Sequence, residues 1–187
     1  MLKKVIVSGL LGGVVLIVWG FVVNGIFGFN SSINMKQIPD ERQVYEILKE
    51  GIVEPGRYIC NPELTSSGTF PGEEPVFSIH YSGMGHEAAG GKALVGLAVF
   101  LLAPTIGAWM LSVTSGRIIS SYPRKVLFFA VIGLLFAVFD DLMNFGIDGY
   151  PLNDALILAV HDVVVWTLVG LVVSWRIKPE PGIVTPS

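Results

Sequence analysis

Charged side chains are scarce in this sequence. Only 14% of its 187 residues are Asp, Glu, Lys or Arg, whereas about a quarter are charged in an ordinary soluble domain. Apolar residues make up 52% of the chain, so lipid rather than water is the expected solvent for most of it. The formal net charge of −3 also argues against a nucleic-acid-binding protein, because such proteins present a basic surface.

Cysteine is almost absent, and the motifs of common enzymes are missing. The single cysteine, Cys60, cannot form an intramolecular disulfide, and no paired spacing indicates a zinc site. We interpret it as an ordinary strand residue. The sequence contains no Gly-x-Ser-x-Gly nucleophile elbow, Walker loop or dinucleotide fingerprint. We therefore predict no cofactor and favour a non-enzymatic protein.

Four apolar runs of about 20 residues dominate the rest of the chain, and each can cross a hydrocarbon core of about 30 Å. A lipid-embedded segment must be helical, because its backbone groups can bond only to one another. The sequence therefore predicts an all-α membrane protein with four transmembrane helices and a small α+β extracytoplasmic loop domain between the first two. We divide the chain into a cytoplasmic tip with the first transmembrane helix (1–28), the loop domain (29–92), the remaining helices (93–175, with spans at 93–114, 126–145 and 155–175) and a cytoplasmic tail (176–187).

The first apolar run begins after Lys3 and Lys4, as a secretory signal peptide would. Its apolar stretch, 5–28, is longer than the roughly 7–15 residues usual in a signal peptide, and no Ala-x-Ala cleavage site follows it. We therefore expect this run to be retained as a transmembrane helix.

The basic residues give an orientation. One side of the predicted spans carries, in short segments, Lys3, Lys4, Arg117, Arg124, Lys125, Arg176 and Lys178. The other side carries, spread over the long loop, Lys36, Arg42, Lys49, Arg57 and Lys92. Because Lys and Arg are enriched in short cytoplasmic segments, we predict that both termini are cytoplasmic. The short loops favour a bacterial cytoplasmic (inner) membrane, which would make the long loop periplasmic.

The loop domain is too polar for lipid and too long for a simple connection. Asp40 and Gln43 have the spacing of a capping box, which predicts a helix that runs to about Glu50. Strands are predicted at 57–60 and 76–81. A unit of this size is marginal as an independent fold, so we expect it to rest on the membrane helices or on a partner chain.

Small residues recur four positions apart in the spans, a spacing that lets helix backbones approach closely in lipid. These pairs are Ser8 and Gly12, Gly9 and Gly13, Ala103 and Gly107, and Gly170 and Ser174. Pro104 removes one backbone hydrogen bond from the second span, and its neighbour Thr105 is expected to help satisfy the freed carbonyl.

Among the tryptophans, Trp175 lies where an anchor at the membrane interface belongs. The others occur singly along their spans. We interpret Trp19, Trp109 and Trp166 as packing or lipid-facing residues.

The third and fourth spans contain polar residues, and these are the most informative in the sequence. The predicted intramembrane cluster comprises Asp140, Asp141, Asn144, His161 and Asp162. A charged group inside a span costs roughly 2.5–3.5 kcal/mol on insertion scales and by default indicates function. Counting about 1.5 Å per residue from Val126 and from Trp175 places Asp140 and His161 each about 21 Å from the cytoplasmic edge. The cluster is therefore predicted to lie at one level.

Three interpretations of this cluster stay open. In the first, a hydrogen bond between histidine and carboxylate holds the last two spans together. In the second, the carboxylates and the histidine handle protons or cations. In the third, His161 binds a metal ion together with Asp140 or Asp141, and His80, His86 or Glu87 from the loop completes the site, although no tight ligand motif is present.

For function, we predict a small polytopic membrane protein that serves as an accessory subunit or interaction module. Membrane lipid would surround its spans, and a protein partner or a second copy would contact it. The alternative is a proton- or cation-handling transport component that uses the Asp/His cluster near the outer leaflet. Four spans are few for a transporter, so that alternative would require an oligomer.

Overall fold

The computed structural model describes residues 2–178, apart from the side chains of 30, 34 and 86–89, and it divides into two units. The first unit contains 2–36 and 92–178, and the second contains 37–91. The described chain is mostly helical, and four helices in it are long and apolar enough to cross a membrane, which confirms the predicted number of spans. They are Leu2–Ile26, Gly90–Ser112, Tyr122–Gly146 and Leu152–Arg176.

Two of these spans combine α-helical with π-helical segments. In chain order the helices are α1 (Leu2–Phe21), α2 (Glu41–Gly51), α3 (His86–Ser112), α4 (Gly116–Ile119), α5 (Tyr122–Phe136), α6 (Leu142–Gly146) and α7 (Leu152–Arg176), and the strands are β1 (Gly56–Cys60) and β2 (Phe77–Tyr81). The π-helical segments are Val22–Ile26, Asn30–Asn34 and Ala137–Asp141. The last of them joins α5 to α6 and changes which side chains face the bundle, because a π-helical turn holds more residues than an α-helical one.

Glycines in α1 allow this helix to approach α3 closely. A Cβ atom added to Gly9 would lie 2.3 Å from the Cα of Thr105, and one added to Gly13 would lie 2.8 Å from the carbonyl oxygen of Phe100. The predicted role of these small residues in helix contact is thus confirmed. Because the contacts run in opposite order along the two helices, α1 and α3 are antiparallel.

The carbonyl freed by Pro104 is not satisfied by Thr105 as predicted. Pro104 has no N–H to donate to the carbonyl of Phe100, and the Thr105 hydroxyl donates instead to Leu101, at 2.7 Å. The prediction is wrong because a threonine hydroxyl within a helix reaches the carbonyl four residues before itself. The Phe100 oxygen faces Gly13 of α1, where the missing side chain leaves it room.

Helices α5 and α7 pack closely and hold much of the core. A Cβ atom on Gly133 would lie 2.7 Å from a carbonyl oxygen of α7, and one on Gly170 would lie 2.7 Å from the Cβ of Phe129. The rings of Phe129 and Phe136 both stack with Trp166, at centroid distances of 6.3 and 5.5 Å. Phe129 and Trp166 are buried, which confirms Trp166 as a packing residue.

The long helices alternate in direction. Gly12 of α1 contacts Val169 and Val173 of α7, whereas Trp19, further along α1, contacts His161, so these helices are also antiparallel. The contacts of Gly133 and Gly170 show the same for α5 and α7. One end of the bundle therefore carries the start of α1, the link from α3 to α5 and the end of α7. We call this the basic end, because the lysines and arginines of the short segments lie there.

The second unit consists of α2 and the antiparallel pair β1–β2, in which Gly56 pairs with Tyr81 and Cys60 with Phe77. The predicted helix and strands are confirmed to within a residue. The capping box is not formed. Asp40 has a left-handed backbone, with φ 56°, and its side chain makes no capping hydrogen bond, because such a bond needs an extended residue at that position. Its carbonyl accepts the N–H of Gln43 instead, at 2.9 Å.

Candidate functional site

Trp19, His161 and Asp162 form a hydrogen-bonded series that joins α1 to α7. The indole Nε1 of Trp19 donates to Nε2 of His161 at 3.0 Å, and Nδ1 of His161 lies 3.3 Å from Oδ1 of Asp162. An indole N–H can only donate, so Nε2 of His161 must accept and carries no proton. The ring proton is then on Nδ1, which donates to the Asp162 carboxylate. The arrangement holds the imidazole in one tautomer and one orientation.

This series differs from the predicted bond between the third and fourth spans. The carboxylate beside His161 belongs to its chain neighbour, and its partner across the helices is Trp19 of the first span. Trp19 is therefore a polar partner as well as a packing residue. No sequence signal reveals this role, because a single tryptophan in an apolar helix does not show which neighbouring helix it faces.

The chain that follows α1 folds back onto the amino-terminal half of α7. The ring of Phe29 stacks on His161, with a centroid distance of 5.2 Å and an interplanar angle of 29°. Nζ of Lys36 lies 2.6 Å from Oδ2 of Asp154, whose side chain is only 12% exposed. Two separate contacts thus hold this segment on α7. The sequence does not reveal the contacts of Trp19, Phe29 and Lys36 with α7, because each joins residues more than a hundred positions apart.

The π-helical segment in the third span separates the two adjacent aspartates. Asp141 is 5% exposed, and its Oδ2 has no hydrogen-bond partner among the described residues. Asp140 is exposed, and Asn144 is half-buried. The carboxylate of Asp141 lies within electrostatic range of Asp162, Asp140 and His161, so the structure brings the predicted carboxylates and the histidine into one neighbourhood. Of the two adjacent aspartates in the third span, only Asp141 points into the protein.

The predicted equal depth of Asp140 and His161 is wrong. The estimate set Val126 level with Trp175, but Val126 lies opposite Gly170, as the close contact between them shows. That offset of about five residues places His161 roughly 7 Å closer to the basic end than expected. The error arises because the ends of an apolar run do not reveal how far one helix is displaced along another.

The metal-binding interpretation gains no support from side-chain geometry. Among the described residues, no group of three or more His, Cys, Asp or Glu side chains could hold a metal ion. His80 lies on β2 of the second unit, opposite Arg57 of β1. The side chains of His86 and Glu87 lie outside the described residues.

The four apolar helices and their internal polar series fit an integral membrane protein. The chain matches no protein-family model, and no similar curated protein or solved structure is found.

Proposed function

We propose that this chain is an accessory subunit or interaction module of a bacterial inner membrane, with both termini in the cytoplasm and the second unit on the periplasmic side. In this function the four helices anchor and orient the protein, and unit 37–91 contacts a protein partner or a second copy. The polar series between α1 and α7 keeps the anchor in one packing arrangement.

The observation that carries this proposal is that the described part of unit 37–91 lacks a core. None of its described side chains is buried, although it carries several large apolar residues. Ile47 on α2 is 63% exposed, and Ile59 and Phe77 in the sheet are also exposed. Apolar surface of this kind on a small unit favours a covering surface from outside the unit.

Purification from native membranes in mild detergent tests the proposal. We expect a stable partner or a homo-oligomer, identified by mass spectrometry and by the mass of the particle in solution. Because Ile47 is exposed, Ile47→Glu should leave the protein folded while it weakens that association about tenfold or more. The matched control is Ser66→Glu, which adds the same charge at an exposed residue outside α2.

A monodisperse monomer without partner would count against an interaction module. Equal loss of association in Ile47→Glu and Ser66→Glu would contradict the assignment of the interface to α2.

Asp141 favours a second candidate function, proton or cation handling. A 5% exposed carboxylate with an oxygen that has no partner among the described residues is costly inside a span, and such groups often mark ion pathways. Asp162 and His161 lie within its electrostatic range, so further groups that bind protons are close to it. Since four spans are few for a transport path, this function also requires an oligomer.

Flux measurements in proteoliposomes with an imposed membrane potential separate the two candidates. A transport component should show proton or cation flux that Asp141→Asn abolishes without a change in thermal stability. Asp140→Asn is the matched control, because that neighbouring carboxylate is exposed, and it should retain most of the flux. Absence of flux in the unsubstituted protein would rule out transport under these conditions and leave Asp141 a structural role.

A further inference from the structure

A cavity lies between the two chain ends of the bundle. It has a volume of about 250 Å³ and is lined by Lys4 of α1 and by Trp175, Arg176 and Lys178 at the end of α7. These residues meet because α1 and α7 are antiparallel. The cavity thus collects three cations from two helices at the basic end.

Positive charge at this cavity has no acidic counterpart among the described residues of the helical unit at the basic end. The described acidic residues of the helical unit, 2–36 and 92–178, are all aspartates and lie towards the opposite end of the bundle. Lys125 adds a fourth cation. It is 5% exposed, its Nζ donates to the carbonyl of Ile177 at 2.6 Å, and it lies within electrostatic range of Lys178. That carbonyl follows the last turn of α7, where free carbonyl groups attract cations. Because Lys125 already binds it, it does not draw a further cation to the cavity. The cavity is therefore suited to an anion.

The same two helices form an apolar groove further along their seam. This groove has a volume of about 340 Å³, and Val15, Val18, Leu168 and Leu171 are among the residues that line it. On α7, Leu168, Leu171 and Trp175 are spaced by three and four residues, so they share one helix face. On α1, spacings of eleven and three residues likewise place Lys4, Val15 and Val18 on one helix face. The cationic cavity and the apolar groove therefore lie on the same side of the α1–α7 pair.

We propose that this side of the α1–α7 pair is a binding site for an anionic phospholipid, with its phosphate in the cavity and an acyl chain in the groove. Basic cavities between transmembrane helices are suited to anionic headgroups. The 69% exposed Trp175 supplies an indole at the height of the headgroup. Inorganic phosphate carries negative charge, as the headgroup does, but it has no acyl chain to occupy the groove. The presence of the groove beside the cavity therefore favours the lipid.

Native mass spectrometry of the purified full-length protein tests the site with phosphatidylglycerol, phosphatidylcholine and inorganic phosphate as probes. We expect the protein to retain phosphatidylglycerol at least tenfold more strongly than phosphatidylcholine. Lys4→Gln combined with Arg176→Gln and Lys178→Gln should remove that preference. The control combines Lys3→Gln, Arg117→Gln and Arg124→Gln. It removes the same charge from the same end but leaves the cavity lining intact, so it should keep the preference.

Val18→Trp separates the two sources of phosphate. Val18 lines the groove and is 56% exposed, so a larger side chain can fill the groove without entering the core. We expect this variant to bind phosphatidylglycerol several-fold more weakly and to leave binding of inorganic phosphate unchanged. If the triple substitution prevents folding, Lys4→Gln alone should still lower the rise in Tm that phosphatidylglycerol produces.

Three results would overturn the proposal. The first is equal retention of the two lipids, and the second is equal loss of preference in both triple variants, which would indicate general surface charge. The third is binding of inorganic phosphate as strong as that of phosphatidylglycerol together with no effect of Val18→Trp. That outcome would assign the cavity to a free anion.

Discussion

His161 is the residue whose surroundings specify its chemical state most narrowly. Three groups contact its ring: the indole N–H of Trp19, the carboxylate of Asp162 and the face of Phe29. A donor on one nitrogen and an acceptor on the other select a single neutral tautomer. The ring is thus positioned as a structural connection between helices, and any proton transfer through Nε2 would first have to break the bond to Trp19.

Replacement of Trp19 by Phe tests this connection. The variant keeps an aromatic ring at this position. It removes the indole N–H, which is the only hydrogen-bond donor to Nε2 of His161 among the described contacts. We expect a loss of about 1–3 kcal/mol of stability, the usual cost of leaving a partly buried polar group without its partner. Thermal unfolding in detergent measures it, with Trp109→Phe as the control because Trp109 is 55% exposed.

Nitrogen NMR of His161 gives an independent reading. The chain has three histidines, so replacing His80 and His86 by Gln leaves His161 as the only source of imidazole nitrogen signals. The spectrum should show a proton on Nδ1, and Trp19→Phe should alter the Nε2 resonance most. A proton on Nε2 in the protein with Trp19 intact would contradict the assigned tautomer.

At this scale the sequence identifies the unusual residues but not their partners. Asp141, His161 and Asp162 stand out because charged and titratable groups are costly in apolar runs. Trp19 and Phe29 do not stand out, since aromatic residues are common in spans and near their ends. Their roles depend on helix rotation and on the path of the chain after α1, which no local pattern encodes.

Helix pairs are held at short distance by glycines, because atoms of the neighbouring helix occupy the space that a side chain would need. Gly9 and Gly13 allow α1 to approach α3 closely, and Gly133 and Gly170 allow α5 and α7 to approach each other closely. In lipid, where apolar burial does not drive helices together, such close contact is a main source of association. The spacing of four residues revealed three of these glycines, while Gly133 was missed although Ala137 lies four positions after it.

Gly133→Ala should destabilise the α5–α7 pair. The new Cβ would lie 2.7 Å from the carbonyl oxygen of Asp162 and 2.9 Å from the Cα of Val163, and backbone atoms cannot rotate away as a flexible side chain can. Overpacking of this kind costs about 1–3 kcal/mol, which exceeds or offsets the gain of up to about 1 kcal/mol from the helix propensity of alanine. We therefore expect Tm to fall by several degrees in detergent.

Gly96→Ala is the matched control for that substitution. It makes the same chemical change inside a transmembrane helix, but no heavy atom lies within 4 Å of its added Cβ. Its Tm should stay unchanged or rise slightly. Equal effects of the two substitutions would show that the contact at Gly133 does not limit the packing of α5 on α7.

The elements themselves could be predicted because their cause is local. An uninterrupted apolar run of sufficient length must be helical in lipid, and turn residues delimit α2, β1 and β2. The π-helical segment at Ala137–Asp141 and the displacement of α7 along α5 could not be predicted. Both result from contacts between helices, so depth estimates that assume regular, level helices misplace His161.

The whole molecule has a strong polarity of charge along the bundle. In the helical unit most lysines and arginines lie at the basic end, whereas Lys36, Lys92 and the described carboxylates lie towards the other end. Because the helices alternate in direction, every short segment rich in basic residues reaches the same end. If such segments stay in the cytoplasm, as the rule for basic residues predicts, the whole chain has one orientation. The proposed functions of unit 37–91 and of the lipid site both depend on that orientation.

The single cysteine makes this orientation directly testable. Cys60 is exposed and lies on β1 of unit 37–91, so a membrane-impermeant maleimide should label it in intact spheroplasts. In the double variant Cys60→Ser, Ser115→Cys, the cysteine would instead lie in the exposed link between α3 and α5, and labelling should require permeabilised membranes. The reverse pattern would place unit 37–91 in the cytoplasm. It would also put the cationic cavity in the outer leaflet, where the attraction of cytoplasmic anionic lipid no longer acts on it.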